Sequence, residues 1–80
     1  MEIEEAAYRW EDAILDIVTE KWNIGEIFTI RDLYFEEKRL SYSFPKNQHV
    51  RERIRATMQF LRDNKYIEFI DNRGTYRRIK

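Results

Sequence analysis

Residues 47–79 have the sequence NQHVRERIRATMQFLRDNKYIEFIDNRGTYRRI. The first half predicts a helix over about 47–64, because largely apolar side chains recur three and four residues apart. That stripe consists of Val50, Ile54, Thr57, Met58 and Leu61. The second half predicts a β-hairpin over about 66–79, because two β-prone runs flank a turn in which Gly74 can supply a positive φ. A long helix followed directly by a hairpin indicates an α+β domain.

Three further elements are predicted upstream of this segment. Apolar residues at helical spacing predict a first helix over about 4–21, and a β-prone pair predicts a short strand over about 26–28. Thr29 and Asp32 have the spacing of a capping box, which starts a second helix over about 30–38. Each of these elements needs a partner surface to bury its apolar side.

The turn between the last two helices completes the order of elements. Serines that compete for backbone hydrogen bonds, followed by Pro45, predict a turn over 41–45. The order helix, strand, helix, turn, helix, hairpin is that of a winged helix-turn-helix domain, in which three helices cover a small antiparallel sheet. We expect residues 1–80 to form one such domain, with the short strand pairing with the hairpin.

The composition limits the classes of protein that the chain can belong to. A chain of 80 residues has room for one domain with a single core. It contains no cysteine, so neither disulfides nor a thiolate zinc site are expected. Charged residues interrupt every apolar stretch, and no signal peptide is visible, which predicts a soluble protein without a membrane partner.

The formal net charge is zero, but the charges are segregated along the chain. Residues 1–37 carry eleven acidic and three basic residues, a net charge of −8, and residues 38–80 carry twelve basic and four acidic residues, a net charge of +8. A basic surface on one side would favour binding to phosphate groups. The alternative is an internally balanced domain whose two halves attract each other.

The predicted helix over 47–64 has a basic, amide-rich outer face. At about 100° per residue, the face opposite Val50 carries Gln48, Arg51, Arg55, Gln59 and Arg62. The second helix of a helix-turn-helix contacts base edges with its N-terminal part, where Arg suits guanine and Asn or Gln suits adenine. The candidate base contacts are therefore Lys46, Asn47, Gln48, Arg51, Glu52 and Arg55. An ordinary solvated helix face is the alternative.

The hairpin adds positive charge in a second place. Arg73 lies at its tip, and Arg77 and Arg78 follow on the returning strand, where they can reach a phosphate or the minor groove. The alternative is a charged hairpin that protects an edge strand. Together the helix and the hairpin predict a surface for duplex DNA. The competing hypothesis is a protein-interaction module that uses the acidic first helix or an aromatic residue such as Trp10 or Trp22.

Catalysis is not expected of this chain. Glu36-Glu37-Lys38 contains the Glu-x-Lys triplet of many metal-dependent nucleases, but those enzymes hold it on a strand beside a further acid, whereas here it ends a short helix. His49 is the only histidine and has no cysteine partner, so it is a poor metal ligand. We therefore expect no metal, no cofactor and no enzyme activity.

A family pattern runs through the helix junctions, the core stripe and the candidate recognition helix. Its residues are 28–34, Phe44, 46–55, 61–63, 67–69 and 74–77. The pattern extends from Trp10 to the end of the chain and resembles the C-terminal winged-helix domain of the DpnI family of methyl-directed type II restriction endonucleases.

The resemblance implies a function. In that family a nuclease domain of the PD-(D/E)xK type, with a cysteine-ligated zinc, precedes the winged helix, and both domains bind GATC sites that carry N6-methyladenine. The chain is thus expected to be a reader of adenine-methylated duplex DNA that does not cut DNA itself. It would act as a monomer in a prokaryotic cytoplasm, beside a nuclease domain of the full-length protein.

A reader of N6-methyladenine needs an apolar notch next to its polar groups. The methyl group projects into the major groove and replaces one donor hydrogen of the adenine, while N7 remains an acceptor. Phe44 and Pro45, at the entrance of the candidate recognition helix, are the expected contacts of this methyl group. The alternative is that Phe44 only staples the helix to the core.

Overall fold

The computed structural model describes residues 9–80, which form four helices and three strands. They follow each other as α1 (Trp10–Lys21), β1 (Ile27–Thr29), α2 (Ile30–Tyr34), α3 (Glu37–Ser43), α4 (Val50–Asp63), β2 (Ile67–Phe69) and β3 (Thr75–Arg78). The strands form one antiparallel sheet in the order β1-β3-β2, so the short β1 pairs with the hairpin. The predicted winged helix-turn-helix fold is confirmed, and α4 is the helix that directly precedes the hairpin.

Helix α1 begins at Trp10, later than the predicted start near residue 4. Arg9 is extended, with φ −102° and ψ 162°, and its backbone N–H donates to the carboxylate of Asp12 at 3.2 Å. This hydrogen bond satisfies an amide at the helix start and marks the boundary. The predicted helical residues 4–8 lie outside the described part of the chain.

The predicted second helix is in fact two helices, and the predicted turn over 41–45 is wrong for its first three residues. The chain bends at Phe35 and Glu36, and α3 then continues through Ser41–Ser43. The side chain of Leu40 is buried and anchors α3 to the core. Tertiary packing of one leucine therefore outweighs the weak helix propensity of the serines around it, and the turn begins only at Phe44.

Helix α4 starts at Val50, three residues after its predicted start. Before it, the side-chain Oδ1 of Asn47 accepts the backbone N–H of His49 at 2.8 Å, which holds a turn that competes with the helix. Lys46, Asn47 and Gln48 thus belong to the loop that enters α4. Among residues 9–80, no helix has the length and apolar character needed to cross a membrane.

The core lies between the helices and one face of the sheet. Phe28 and Tyr76 are register partners on β1 and β3, and their rings are 5.5 Å apart. Trp22 stacks on Phe28 with ring centroids 4.2 Å apart. The stripe predicted for α4 is buried as expected. The largest fully buried side chains are Phe28, Ile14, Ile17, Leu33, Leu40, Ile54, Met58, Leu61, Ile67 and Val18.

The wing, residues 70–74 between β2 and β3, is held to the start of α2. The backbone N–H of Ile30 donates to the carbonyl of Gly74 at 2.8 Å. The Asp71 carboxylate accepts the backbone N–H groups of Arg73 at 2.9 Å and Thr75 at 3.2 Å, and these hydrogen bonds hold the pKa of Asp71 below its usual value. The wing therefore presents Arg73 from an ordered turn.

Gly74→Ala is expected to destabilise the domain by about 2 kcal/mol. Gly74 has φ +94°, and an added Cβ would lie 2.6 Å from Cγ2 of Ile30, so the change adds backbone strain and a steric clash. Gly25→Ala is the matched control, because Gly25 has φ +92° with open space around the added Cβ, and it should cost only about 1 kcal/mol. Urea unfolding of both variants measures the difference. Equal losses in the free energy of unfolding would show that the clash between the added Cβ and Ile30 contributes nothing.

Candidate nucleic-acid interface

The loop before α4 and the first turns of that helix bring most of the predicted contacts together. Lys46 and Gln48 are exposed, and Asn47 is half-buried. Glu52 is exposed on the first turn, with Oε1 3.9 Å from Nδ1 of His49. The side chain of His49 makes no cap hydrogen bond at the N-terminus of α4, and Glu52 is the acidic residue of its first turn.

Two of the predicted arginines contact side chains of α2 and α3. Nε of Arg55 donates to Oη of Tyr34 at 2.7 Å, and this hydrogen bond raises the pKa of Arg55. The guanidinium of Arg51 lies 4.6 Å from the centre of the same tyrosine ring, and its Nε donates to Oε1 of Glu37 at 3.1 Å. Tyr34 therefore contacts both arginines at the start of α4.

The structure refines the predicted outer face of α4. The helix rotation directs Glu52, Ala56, Gln59 and Asp63 furthest from the buried stripe. The predicted outer-face residues Arg51 and Arg62 are exposed but lie on a flank, since Arg51 contacts α2 and the Arg62 guanidinium is 4.6 Å from the Phe69 ring centre. The basic surface is thus shared between α4 and the elements packed against its flank.

A cleft of about 290 Å³ separates α4 from the wing. Arg55 and Gln59 line it from the helix, and Asn72 and Arg73 line it from the wing. Buried Tyr76 lies in its floor, and burial raises the pKa of that phenol, which therefore stays protonated at neutral pH. The cleft offers two guanidinium groups and two amide groups to one ligand, a donor set that suits phosphates and base edges.

Arg77 lies apart from the other predicted contacts. Side chains alternate along a strand, so the buried Tyr76 places its neighbour Arg77 on the outer face of the sheet. There Nη1 of Arg77 lies 2.6 Å from Oε2 of Glu68 on β2. Its role as a DNA contact stays a prediction, and it would require this ion pair to open.

An apolar cleft lies at the entrance of α4. Phe44 stacks on Trp10 with ring centroids 4.3 Å apart and planes inclined by 16°. Trp10, Phe44 and Pro45 line an open cleft of about 470 Å³, which Lys46 and Asn47 border. Phe44 therefore packs the loop against the core, as the alternative hypothesis predicted. It also lines the cleft, in which apolar side chains lie next to polar ones.

The two charged halves of the chain are only partly neutralised by each other. Arg39 pairs with Glu20 at 3.1 Å and with Glu36 at 3.7 Å, and Arg51 pairs with Glu37 at 3.1 Å. Apart from Arg77, which pairs with Glu68, the remaining predicted cationic contacts form no ion pair with a carboxylate within residues 9–80. These are Lys46, Arg55 and Arg73. Unpaired positive charge is therefore left on the loop before α4, on α4 itself and on the wing.

The Glu-x-Lys triplet has no nuclease geometry. Glu36 accepts from Lys21 at 3.0 Å, and Glu37 begins α3. Across residues 9–80, no three His, Cys, Asp or Glu side chains lie together in a way that could hold a metal ion. Both glutamates of the triplet instead form ion pairs with basic side chains.

Three residues at this surface were not among the predicted contacts. Asn72 and Gln59 line the cleft between α4 and the wing, and Tyr34 accepts a hydrogen bond from Arg55. Gln59 was predicted to be exposed but not to contact DNA. The position of Asn72 next to Arg73 in the predicted turn is the sequence feature that could have identified Asn72 as part of this surface. No local pattern links Tyr34 to Arg55, because the two residues are 21 positions apart.

The comparison with protein families agrees with this geometry. Residues 7–78 match the family model of the DpnI C-terminal domain, described as the Dam-replacing HTH domain. The match includes all seven described helices and strands. A helix-turn-helix domain of this kind is a DNA-binding module and not a catalytic one, and its partner is DNA. The chain therefore belongs to the family of DpnI C-terminal, Dam-replacing helix-turn-helix domains.

Proposed function

We propose that the domain reads N6-methyladenine in a GATC-like site, as the monomeric reader module of a methyl-directed restriction enzyme. The observation that carries the proposal is the cleft at the entrance of α4. It places the apolar surface of Trp10, Phe44 and Pro45 directly beside Lys46 and Asn47. A methylated adenine edge has this same mixture of an apolar group and hydrogen-bonding atoms.

The free-energy scale of methyl reading is small but measurable. Burying one methyl group contributes about 0.8 kcal/mol, which is about fourfold in affinity. A fully methylated GATC duplex carries two such groups, so a cleft that accepted both would favour it about 15-fold over the unmethylated duplex.

Polar contacts supply the remaining affinity in this proposal. Gln48, Arg51 and Arg55 would approach base edges in the major groove, because they lie in the loop and first turns of the recognition helix. Arg73 would contact the phosphate backbone or the minor groove from the wing. Cationic side chains that neutralise phosphates release the counterions condensed on the DNA, so the affinity should fall with salt by about 0.9 log units per decade for each phosphate neutralised.

Fluorescence anisotropy on four matched duplexes tests the proposal. The duplexes contain unmethylated, hemimethylated or fully methylated GATC, or a scrambled site. We expect the order of affinity to be fully methylated, hemimethylated, unmethylated, scrambled, with steps of about fourfold for each methyl group. Equal affinity for the three GATC duplexes would overturn methyl reading, and affinity that ignored salt would overturn phosphate-based DNA binding.

Phe44→Ala tests the cleft itself. It should bring the ratio of affinities for methylated and unmethylated GATC towards one, while affinity for the unmethylated duplex changes less. Phe60→Ala is the matched control, because Phe60 is 45% exposed and lines a separate groove near Leu15 and Tyr66. A loss of methyl preference in both variants would point to general destabilisation, which a thermal melt of each variant would reveal.

A further inference from the structure

Tyr34 connects the recognition helix to α2 through its hydroxyl group and its ring. Its hydroxyl accepts from Nε of Arg55 at 2.7 Å, and the Arg51 guanidinium stacks 4.6 Å from its ring centre. The side chain is half-buried between α2 and α4, whereas both arginines are exposed. One half-buried aromatic side chain thus contacts two exposed cationic side chains.

The hydrogen bond to the Tyr34 hydroxyl leaves the terminal Nη1 and Nη2 groups of Arg55 available for another contact. An arginine reads guanine O6 and N7 with two parallel N–H groups, and Arg55 engages Tyr34 through Nε alone. Its terminal Nη1 and Nη2 groups make no hydrogen bond within residues 9–80. A neutral phenol also orients the guanidinium without neutralising its charge, in contrast to Glu37, which pairs with Arg51 at 3.1 Å.

Restraint of this kind affects discrimination more than general attraction. A free arginine side chain loses rotamer freedom when it binds a base edge, and a side chain that is already oriented loses less. Attraction to phosphates depends mainly on the charge, which is the same whether or not the side chain is oriented.

We propose that Tyr34 is a positioning residue that orients Arg55, and with it Arg51, for base-edge contacts in the major groove. This inference rests on the proposed function in one respect, namely that these arginines face base pairs. Tyr34 itself does not contact DNA in this arrangement and acts through the two arginines.

Tyr34→Phe is the variant that tests the inference. It removes the hydroxyl acceptor but keeps the ring, so the stack with Arg51 and the packing between α2 and α4 remain. We expect affinity for the fully methylated GATC duplex to fall about three- to tenfold, the scale of one hydrogen bond to a charged group near solvent, with affinity for the scrambled duplex nearly unchanged. Tyr42→Phe is the matched control, since Tyr42 is 86% exposed, and it should behave as the wild type.

A double-mutant cycle with Arg55→Ala separates positioning from a direct contact. If Tyr34 acts through Arg55, Tyr34→Phe should have no further effect once Arg55 is an alanine. Additive losses would overturn the proposal, because Tyr34 would then act independently of Arg55. An equal loss on the specific and scrambled duplexes would also overturn it.

A measurement on the free protein makes the test independent of the DNA site. In the ¹H–¹⁵N spectrum, the Nε–H signal of Arg55 should be shifted and protected from solvent exchange in the wild type, and should move to the position of a solvated arginine in Tyr34→Phe. An unchanged signal would overturn the positioning role. Failure of methyl discrimination by the wild-type protein with this shift intact would overturn the proposed function but leave the Tyr34–Arg55 contact established.

Discussion

Arg55→Ala is expected to weaken binding to the preferred duplex by about 1–3 kcal/mol, or about 5- to 150-fold, and to relax the preference at one base position. Arg55 is the predicted contact in which three features coincide. It lies on α4, it lines the cleft that faces the wing, and its Nε donates to the hydroxyl of Tyr34 while its guanidinium forms no ion pair within residues 9–80. Anisotropy titrations on the preferred duplex and its single-base variants measure both effects.

Two further variants make the Arg55 result specific. Arg55→Lys keeps the charge but lacks the planar fork, so it should lose nearly as much as Arg55→Ala if the contact is to a base edge. Arg62→Ala is the matched control, because Arg62 lies at the far end of α4 and packs over Phe69. Full retention of affinity in Arg55→Lys, with an equal loss on every sequence in Arg55→Ala, would reassign Arg55 to a phosphate contact.

Phe28→Ala is expected to have the largest effect on stability, a loss of about 3–5 kcal/mol in the free energy of unfolding. The Phe28 ring is 2% exposed and lies between the rings of Trp22 and Tyr76, at 4.2 Å and 5.5 Å. Domains of this length have a total stability of roughly 4–12 kcal/mol. The substitution would therefore leave the domain marginally folded at best.

Phe35→Ala is the control for that measurement. Phe35 is 76% exposed in the bend between α2 and α3, and its truncation should change the free energy of unfolding by no more than about 0.5 kcal/mol. Urea unfolding followed by tryptophan fluorescence reports both variants, since Trp22 stacks on Phe28. A loss below about 1 kcal/mol in Phe28→Ala would contradict the position of that ring in the core.

The family match supports DNA binding, whereas the local geometry supports the proposed reading of methyladenine. The match over residues 7–78 establishes a helix-turn-helix domain that binds DNA. Methyl reading is a proposal that rests on the cleft of Trp10, Phe44 and Pro45 and on the resemblance to methyl-directed restriction endonucleases. The duplex comparison therefore tests the finer claim without putting DNA binding itself in question.

Most of the fold could be predicted because its signals are local. The period of the apolar residues in α4, the capping box of Thr29 and Asp32 and the turn ending in Gly74 each depend on a few neighbouring residues. Their order then restricted the topology to the winged helix, since a hairpin of this length needs the third strand and the helices to bury its inner face.

The errors in the predicted boundaries have two physical causes: packing that outweighed local preference, and a local hydrogen bond that competes with the helix. Serines and a proline predicted a turn over 41–45, but burial of Leu40 extended α3 to Ser43. Asn47 delayed the start of α4 because its side chain bonds to the backbone two residues on. Propensities differ by less than about 1 kcal/mol per residue, whereas burial of one leucine contributes about 1.5–3 kcal/mol, so such boundaries follow the core.

The amino-acid sequence determined most of the elements, their order and the chemical character of the candidate surface, because these depend on periodicity, turn residues and side-chain type. The contacts that organise the surface depended on the assembled domain. Tyr34 meets Arg55 across 21 positions, Trp10 meets Phe44 across the helices, and Arg77 faces outward with Glu68 because Tyr76 is buried. Such pairs form only when distant segments pack together, and no pattern within one segment encodes which side chains will meet.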